Sequence, residues 1–280
     1  MKLNRPTAAL WTGSDDHSPS ANLTHLAVGA HPDDVELMAH HGIDACFGRK
    51  DRAFGAVVMT DGASSPRGGV YSDLGGEEMR EIRRQEQKAA STVGRYALTV
   101  MLDYHSSLLK EPSETGPDED LLAIFRETRP EVIYTHNPAD KHPTHVAVVA
   151  RVLRVLREMK KAERPRELLG CEAWRDLDWI PDDSKRVLDS SGREHLAAAL
   201  LGCFDSQIQG GKRYDLAVMG RRRANATFLH SHSVDELSMA TVAVDLSPLM
   251  HDPSVSLEGF VRGLVQDLAD EIGQELSPWR

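Results

Sequence analysis

Leu26-Ala27-Val28-Gly29-Ala30 is a short apolar run that stops abruptly at His31-Pro32-Asp33-Asp34. An apolar run bounded in this way reads as a buried strand, and it ends there because proline cannot donate to a ladder. A helical pattern follows from Val35 to about Phe47. A second strand, Phe54 to Met59, then stops at Thr60-Asp61-Gly62. The alternation continues with a Gly/Ser/Pro loop to Gly76, a charged helix over Glu77 to Val93 and a strand over Leu98 to Leu102. A helix over Glu119 to Thr128 is ended by Arg129-Pro130, and Val132 to Thr135 is a fourth strand. Pro143 opens a helix to about Lys161 whose apolar stripe is Val148, Val149, Val152, Leu156 and Met159. Strands alternating with helices specify an α/β fold, a three-layer αβα arrangement with a mainly parallel central sheet. Ligands of such sheets bind outside the carboxyl ends of the strands. The polar clusters obey that rule: His31 to Asp34 follows the first strand, Thr60-Asp61-Gly62 the second, Asp103 the third and His136-Asn137 the fourth.

The pattern weakens beyond residue 165. Leu168 to Trp174 and Arg186 to Leu188 read as strands, and Arg193 to Gln209 and Leu216 to Leu229 as helices, all added to the same domain. Residues 1–23 read as a flexible N-terminal leader and 24–280 as a single domain. The formal net charge is −10, which argues against a nucleic-acid partner, since nothing here would neutralise a phosphate backbone. The one compact basic run, Arg221-Arg222-Arg223, reads as a solvated helix face. Three scattered cysteines (Cys46, Cys171 and Cys203) form no CxxC, and the expected setting is a reducing cytoplasm. No run is long or apolar enough for membrane insertion, and the N-terminus lacks the apolar segment of a signal peptide.

His31-x-x-Asp34 places an imidazole and a carboxylate three apart on a turn, where both reach one ion. His145 lies in the first turn of the Pro143 helix, on the stripe that faces the sheet, so it points at the strand ends. Two histidines and one carboxylate with open positions form the usual hydrolytic zinc centre, although Fe2+ fits the same set. Asp33 is the candidate general base. His142, three residues before His145, is either a general acid or, as an imidazolium, a stabiliser of a developing oxyanion. Either segment alone is better read as an ordinary polar turn. Two such clusters, each following a strand of one sheet, shift the reading towards a site.

These residues resemble the PIG-L (LmbE-like) zinc-dependent N-deacetylases. The resemblance rests on Ala30-His31-Pro32-Asp33-Asp34, Thr60-Asp61-Gly62, Arg83-x-x-Glu86 and His142-x-x-His145, in that order over roughly the first 160 residues, and on Phe204-Asp205-Ser206-Gln207 later. It implies a Rossmann-like fold and removal of an N-acetyl group from an N-acetylglucosamine unit of a small molecule or sugar conjugate. It also implies metal ligands His31, Asp34 and His145, base Asp33 and assisting His142. Arg83 would contact the sugar or order the site; a salt bridge to Glu81 or Glu86 is the alternative. Two positions depart from the family. Thr144 stands where an Asp commonly orients a neighbouring imidazole. In Leu102-Asp103-Tyr104-His105-Ser106-Ser107, either Ser106 or Asp103 takes the place of a sugar-binding Asp. A zinc hydrolase of another acyl amide or ester stays open, as does a non-catalytic metal-binding relative. The first turn lacks GxGxxG, which disfavours a dinucleotide enzyme. The expected partner is a small-molecule or sugar-conjugate substrate, and a homo-oligomer is compatible with the chain.

Overall fold

The computed structural model describes residues 1–13 and 23–279; the part of the expected leader within residues 14–22 lies outside them. The strands are β1 (Ala9–Trp11), β2 (His25–Gly29), β3 (Phe54–Thr60), β4 (Leu98–Tyr104), β5 (Val132–His136), β6 (Glu167–Cys171), β7 (Arg186–Asp189) and β8 (Ala240–Asp245). The α-helices are α1 (Asp34–Met38), α2 (His40–Cys46), α3 (Gly76–Val93), α4 (Ser106–Leu109), α5 (Gly116–Thr128), α6 (Pro143–Glu158), α7 (Glu194–Leu201), α8 (Asp205–Ile208), α9 (Tyr214–Phe228), α10 (Ser247–His251) and α11 (Leu257–Leu276). All eight strands join one sheet in the order β1-β4-β3-β2-β5-β6-β8-β7. The inner five, β4-β3-β2-β5-β6, are parallel. The pairings β1–β4, β6–β8 and β7–β8 are antiparallel. The α/β expectation of a mainly parallel sheet therefore holds.

The sheet separates two cores because successive strand residues point to opposite faces. Leu26 and Val28 of β2 join Val57 and Met59 of β3 on one face, beneath the α5 and α6 residues Ile124, Phe125, Val148, Val152 and Leu156. Ala27, Ala56 and Val58 go to the other face, beneath Val35, Met38, Ile43 and Ala90 of α1, α2 and α3. The helix read over 35–47 is two helices, because Ala39 leaves the helical region at φ −115° and ψ 23°. The break lets both short pieces lay their apolar residues on the sheet. The helix read over 193–209 likewise divides at Gly202 into α7 and α8. Within the expected leader, Ala9–Trp11 adds an edge strand in register with Met101, Val100 and Thr99. The sequence reading assigned nothing to β8, α10 or α11, where no strand–helix–strand repeat marks the chain. No helix among the described residues is long and apolar enough to cross a membrane.

The chain runs outward through β2, β3 and β4 and then returns to the other side of β2 as β5. The crevice at the carboxyl ends of β2 and β5 is thus the topological switch point of the sheet, the place where such folds bind ligands. Leu156 is fully buried in the α6 face that supports this crevice. Leu156→Ala should cost about 2–5 kcal/mol of unfolding free energy, measured by denaturant titration, through lost burial and an unfilled cavity.

Candidate metal centre

β2 delivers His31 to the crevice, and α1 begins at Asp34 immediately after it. Gly29 is required by this close turn: a Cβ there would stand 2.9 Å from the Cβ of Asp34. From the other side, β5 ends on His136 and α6 starts at Pro143, with Pro at the position where a missing N–H costs nothing. His142 is the N-cap residue, and its Nδ1 accepts the Thr144 N–H at 3.3 Å.

Donor atoms of three residues converge, with the two Asp34 oxygens facing different imidazoles. His31 Nδ1 lies 3.2 Å from Asp34 Oδ2 and 3.2 Å from His145 Nε2, and His145 Nε2 lies 3.4 Å from Asp34 Oδ1. Atoms bound tetrahedrally at about 2.0–2.1 Å from one ion stand roughly 3.3–3.4 Å apart, so the donors fit a divalent metal in both chemistry and spacing. Two overlapping groups, His31/His142/His145 and Asp34/His136/His145, have ligand atoms close enough for one ion. His136 is the member that the spacing of the motifs did not single out. Its ring stacks on His145 at 3.8 Å, and its Nε2 lies 3.4 Å from Asp34 Oδ2. That nitrogen also accepts the Ala30 N–H at 3.0 Å, so His136 buttresses the strand end as well as the cluster. Burial works to raise the Asp34 carboxyl, but His145 and His136 beside it hold it well below the usual carboxylate range.

Asp33 adopts φ 101°, a strained backbone for a non-glycine residue. Its surroundings hold it there. Gln87 Oε1 accepts its N–H at 3.3 Å, and Gln87 Nε2 donates to Glu36 Oε1 at 2.9 Å. Arg83 donates to Asp33 Oδ2 at 2.7 Å, to Glu86 Oε2 at 2.8 Å and to the Pro32 carbonyl. Burial lifts the Asp33 carboxyl to about 6, against the opposing pull of the Arg83 guanidinium. The Phe204-Asp205-Ser206-Gln207 stretch closes the back of this network: Ser206 donates through N and Oγ to Glu86, and the Phe204 ring lies 5.4 Å from the Arg83 guanidinium carbon. The Arg222 side chain, read from sequence as part of a solvated face, is 1% exposed and donates to the Glu36 and Leu37 carbonyls. It caps the C-terminal end of α1, where the last carbonyls have no helical partner.

A cavity of about 410 Å³ opens over the cluster and is lined in part by His31, Asp33, Asp34, His142, Arg83 and Ser106. The structure thus brings together the three expected ligands, Asp33, His142, Arg83 and Ser106. It does not bring Asp103 to the cavity. That carboxylate is 1% exposed and is held by Arg80 and by Arg84 at 3.4 Å. Arg83 lines the cavity, but its guanidinium is committed to Asp33, Glu86 and Pro32. Thr144 offers the neighbouring imidazoles no acid. Asp140 instead puts Oδ2 3.6 Å from His145 Nδ1 while accepting the His142 and Trp174 N–H groups at 2.9 and 3.1 Å. Burial pushes the His142 imidazole down to about 4, aided by His31 and His145, so it is neutral. With Nδ1 accepting from Thr144, Nε2 carries its proton. His105 is an exposed N-cap of α4 whose Nδ1 accepts the Ser107 N–H.

Comparison with solved structures places the same fold elsewhere. N,N'-diacetylchitobiose deacetylase from Pyrococcus horikoshii superposes with a TM-score of 0.61 at 16% identity, covering 83% of this chain and 86% of that one. The conserved protein TT1542 from Thermus thermophilus gives 0.60 at 21% identity over 84% and 99%. GalB, the 4-carboxy-2-hydroxymuconate hydratase from Pseudomonas putida, gives 0.59 at 16% identity over 82% and 97%. These likenesses show a shared fold, which here serves both a deacetylase and a hydratase. No curated protein matches the chain in sequence. The PIG-L family model, described as GlcNAc-PI de-N-acetylase, matches residues 26–156, the segment running from β2 into α6 that carries every donor of the cluster. Over that segment, just under half of its length, the chain is similar to the PIG-L family.

Proposed function

We propose that the chain is a zinc-dependent N-deacetylase acting on an amino-sugar-containing small molecule or glycoconjugate. The observation that carries this reading is the Asp33 carboxylate, buried and fixed by Arg83 at 2.7 Å, on the wall of the same cavity as the three converging donors. His31, Asp34 and His145 would hold the metal. A divalent ion held there supplies a Lewis acid for a carbonyl and a lowered pKa for water. Asp33 accepts a proton as water adds to the acetamide carbon, and Arg83 keeps that carboxylate aimed. The neutral His142 donates its Nε2–H to the acetamide oxygen as negative charge develops there. The C–N bond then breaks, the proton taken by Asp33 passes to the departing nitrogen, and acetate and a free amine result.

Asp140 acts in this scheme through His145. A histidine that ligates metal is oriented by the acceptor on its other nitrogen, and Asp140 is the carboxylate that faces Nδ1 at 3.6 Å. It supplies from the loop before α6 the acid that Thr144 does not provide.

Two outcomes are expected. Asp33→Asn should retain one equivalent of metal but lose about 10²–10⁴ in kcat for acetate release from N-acetyl sugars, measured beside longer acyl amides. Near-normal turnover would remove Asp33 from the base role, and preference for a longer acyl group would redefine the substrate. Asp140→Ala should weaken metal binding about 10–100-fold in a chelator competition. Unchanged affinity would show that Asp140 does not position His145.

A further inference from the structure

The cavity over the metal cluster continues into a second one of about 330 Å³, and the two share Leu37, Trp174, Lys212 and Tyr214. The annex is walled by apolar and aromatic groups. Leu37, Ala217 and Val218 line it, and the Trp174 and Tyr214 rings meet edge-on at 6.0 Å. Such a lining accepts an apolar body rather than a hydrated sugar alone.

Its polar groups are cationic. Lys212 Nζ stands 4.9 Å from the Trp174 ring centre, which holds the ammonium at the junction of the two cavities. Among the described residues, Lys185 is the lysine held in ion pairs; Lys212 has none. Arg221, also on the annex wall, donates to the Ala173 carbonyl and faces no carboxylate within ion-pair distance. Glu172 feels the Arg221 charge, but its hydrogen bonds come from Asn225 and the Val242 N–H. Arg213 is the cation already matched, by Asp215 at 2.8 Å. In a chain of net charge −10, two cations without a direct ion pair on one apolar pocket make a local positive patch.

The annex is within reach of the reaction. The Trp174 ring centre lies 6.4 Å from that of His142, so Lys212 Nζ is no more than about 11 Å from the imidazole at which the acetamide is read. We propose that the amine-side portion of the substrate is an apolar or aromatic body bearing a carboxylate or phosphate, seated against the wall that Trp174 and Tyr214 form, with its anion on Lys212 and Arg221. The placement of the amine side rests on the N-deacetylase reading; the anion site itself does not.

The test uses the metal-loaded protein and three probes: the phenyl, 4-carboxyphenyl and 4-phosphonooxyphenyl glycosides of N-acetylglucosamine. Binding is measured by calorimetry on Asp33→Asn, and acetate release on the unaltered chain. The anionic probes should bind about tenfold or more tightly than the phenyl probe, with the advantage shrinking as salt is raised. The tighter of the two distinguishes a carboxylate from a phosphate substrate. Lys212→Met should bring the anionic-to-neutral ratio close to one and Lys212→Glu should invert it, with the phenyl probe reporting that each variant is folded. Equal or undetectable binding of all three probes, or a ratio that Lys212→Met leaves in place, overturns the proposal. Anion-dependent binding without acetate release from any probe would sink the deacetylase reading while leaving the anion site standing.

Discussion

A carboxylate buried beside a second carboxylate is unstable unless something pairs with it, and the candidate site is organised around that constraint. Asp33 and Asp34 are 6% and 1% exposed and adjacent in the chain. They are pointed apart and given different partners. Asp34 turns towards three imidazoles, and Asp33 turns towards a single guanidinium. Desolvation would otherwise push both towards the neutral acid. Arg83 is itself 1% exposed, and Glu86, Ser206 and the Pro32 carbonyl take up its two terminal nitrogens beside Asp33, while its Nε is left without a partner. The strained Asp33 backbone persists because this surrounding network determines its position from several sides.

That network needs elements from distant parts of the chain. α3 supplies Arg83, Glu86 and Gln87; α8 supplies Ser206; α9 supplies Arg222 to the end of α1. Gly62, at φ 73°, lets the loop after β3 pass close to Arg83, since a Cβ there would lie 2.9 Å from the Arg83 Cβ. The later helices are therefore part of the site's support rather than decoration on a finished domain. The switch point supplies the other half of the arrangement. Because β5 returns beside β2, the turn after each strand opens into the same crevice, and His31 meets His145 across 114 residues of sequence.

Thr144 carries no acid, and the carboxylate that faces His145 is Asp140. An acid at 144 would act from the first turn of α6. Asp140 acts from the loop before it, facing the His145 ring while tying down the His142 and Trp174 backbones. The same carboxylate thus joins the metal side of the cavity to the aromatic wall that leads into the annex. Asp103 went the other way. With φ 65° and two arginines on its carboxylate, it locks the end of β4 to α3 and never reaches the cavity.

The amino-acid sequence by itself determined the α/β class, the approximate places of the central strands and the candidate donors His31, Asp34 and His145. Those properties are local: a proline stops a strand, a 3.6-residue stripe marks a helix, and His-x-x-Asp and His-x-x-His declare their chemistry through spacing. The tertiary structure decided the rest, because it depends on contacts between segments far apart in the chain. No spacing places His136 beside His145, since that stacking arises from the crossing of β5 and α6. No charge count separates the buried Arg222 from the exposed Arg223 one residue away. The break at Ala39 follows from packing against the sheet, and the separate α7 and α8 from packing against α1, α3 and α9, which overrides helical propensity. Ser106 and Asp103 were equal candidates in sequence, and only the turn after β4, with α4 directing Ser106 to the cavity and α3 claiming Asp103, told them apart.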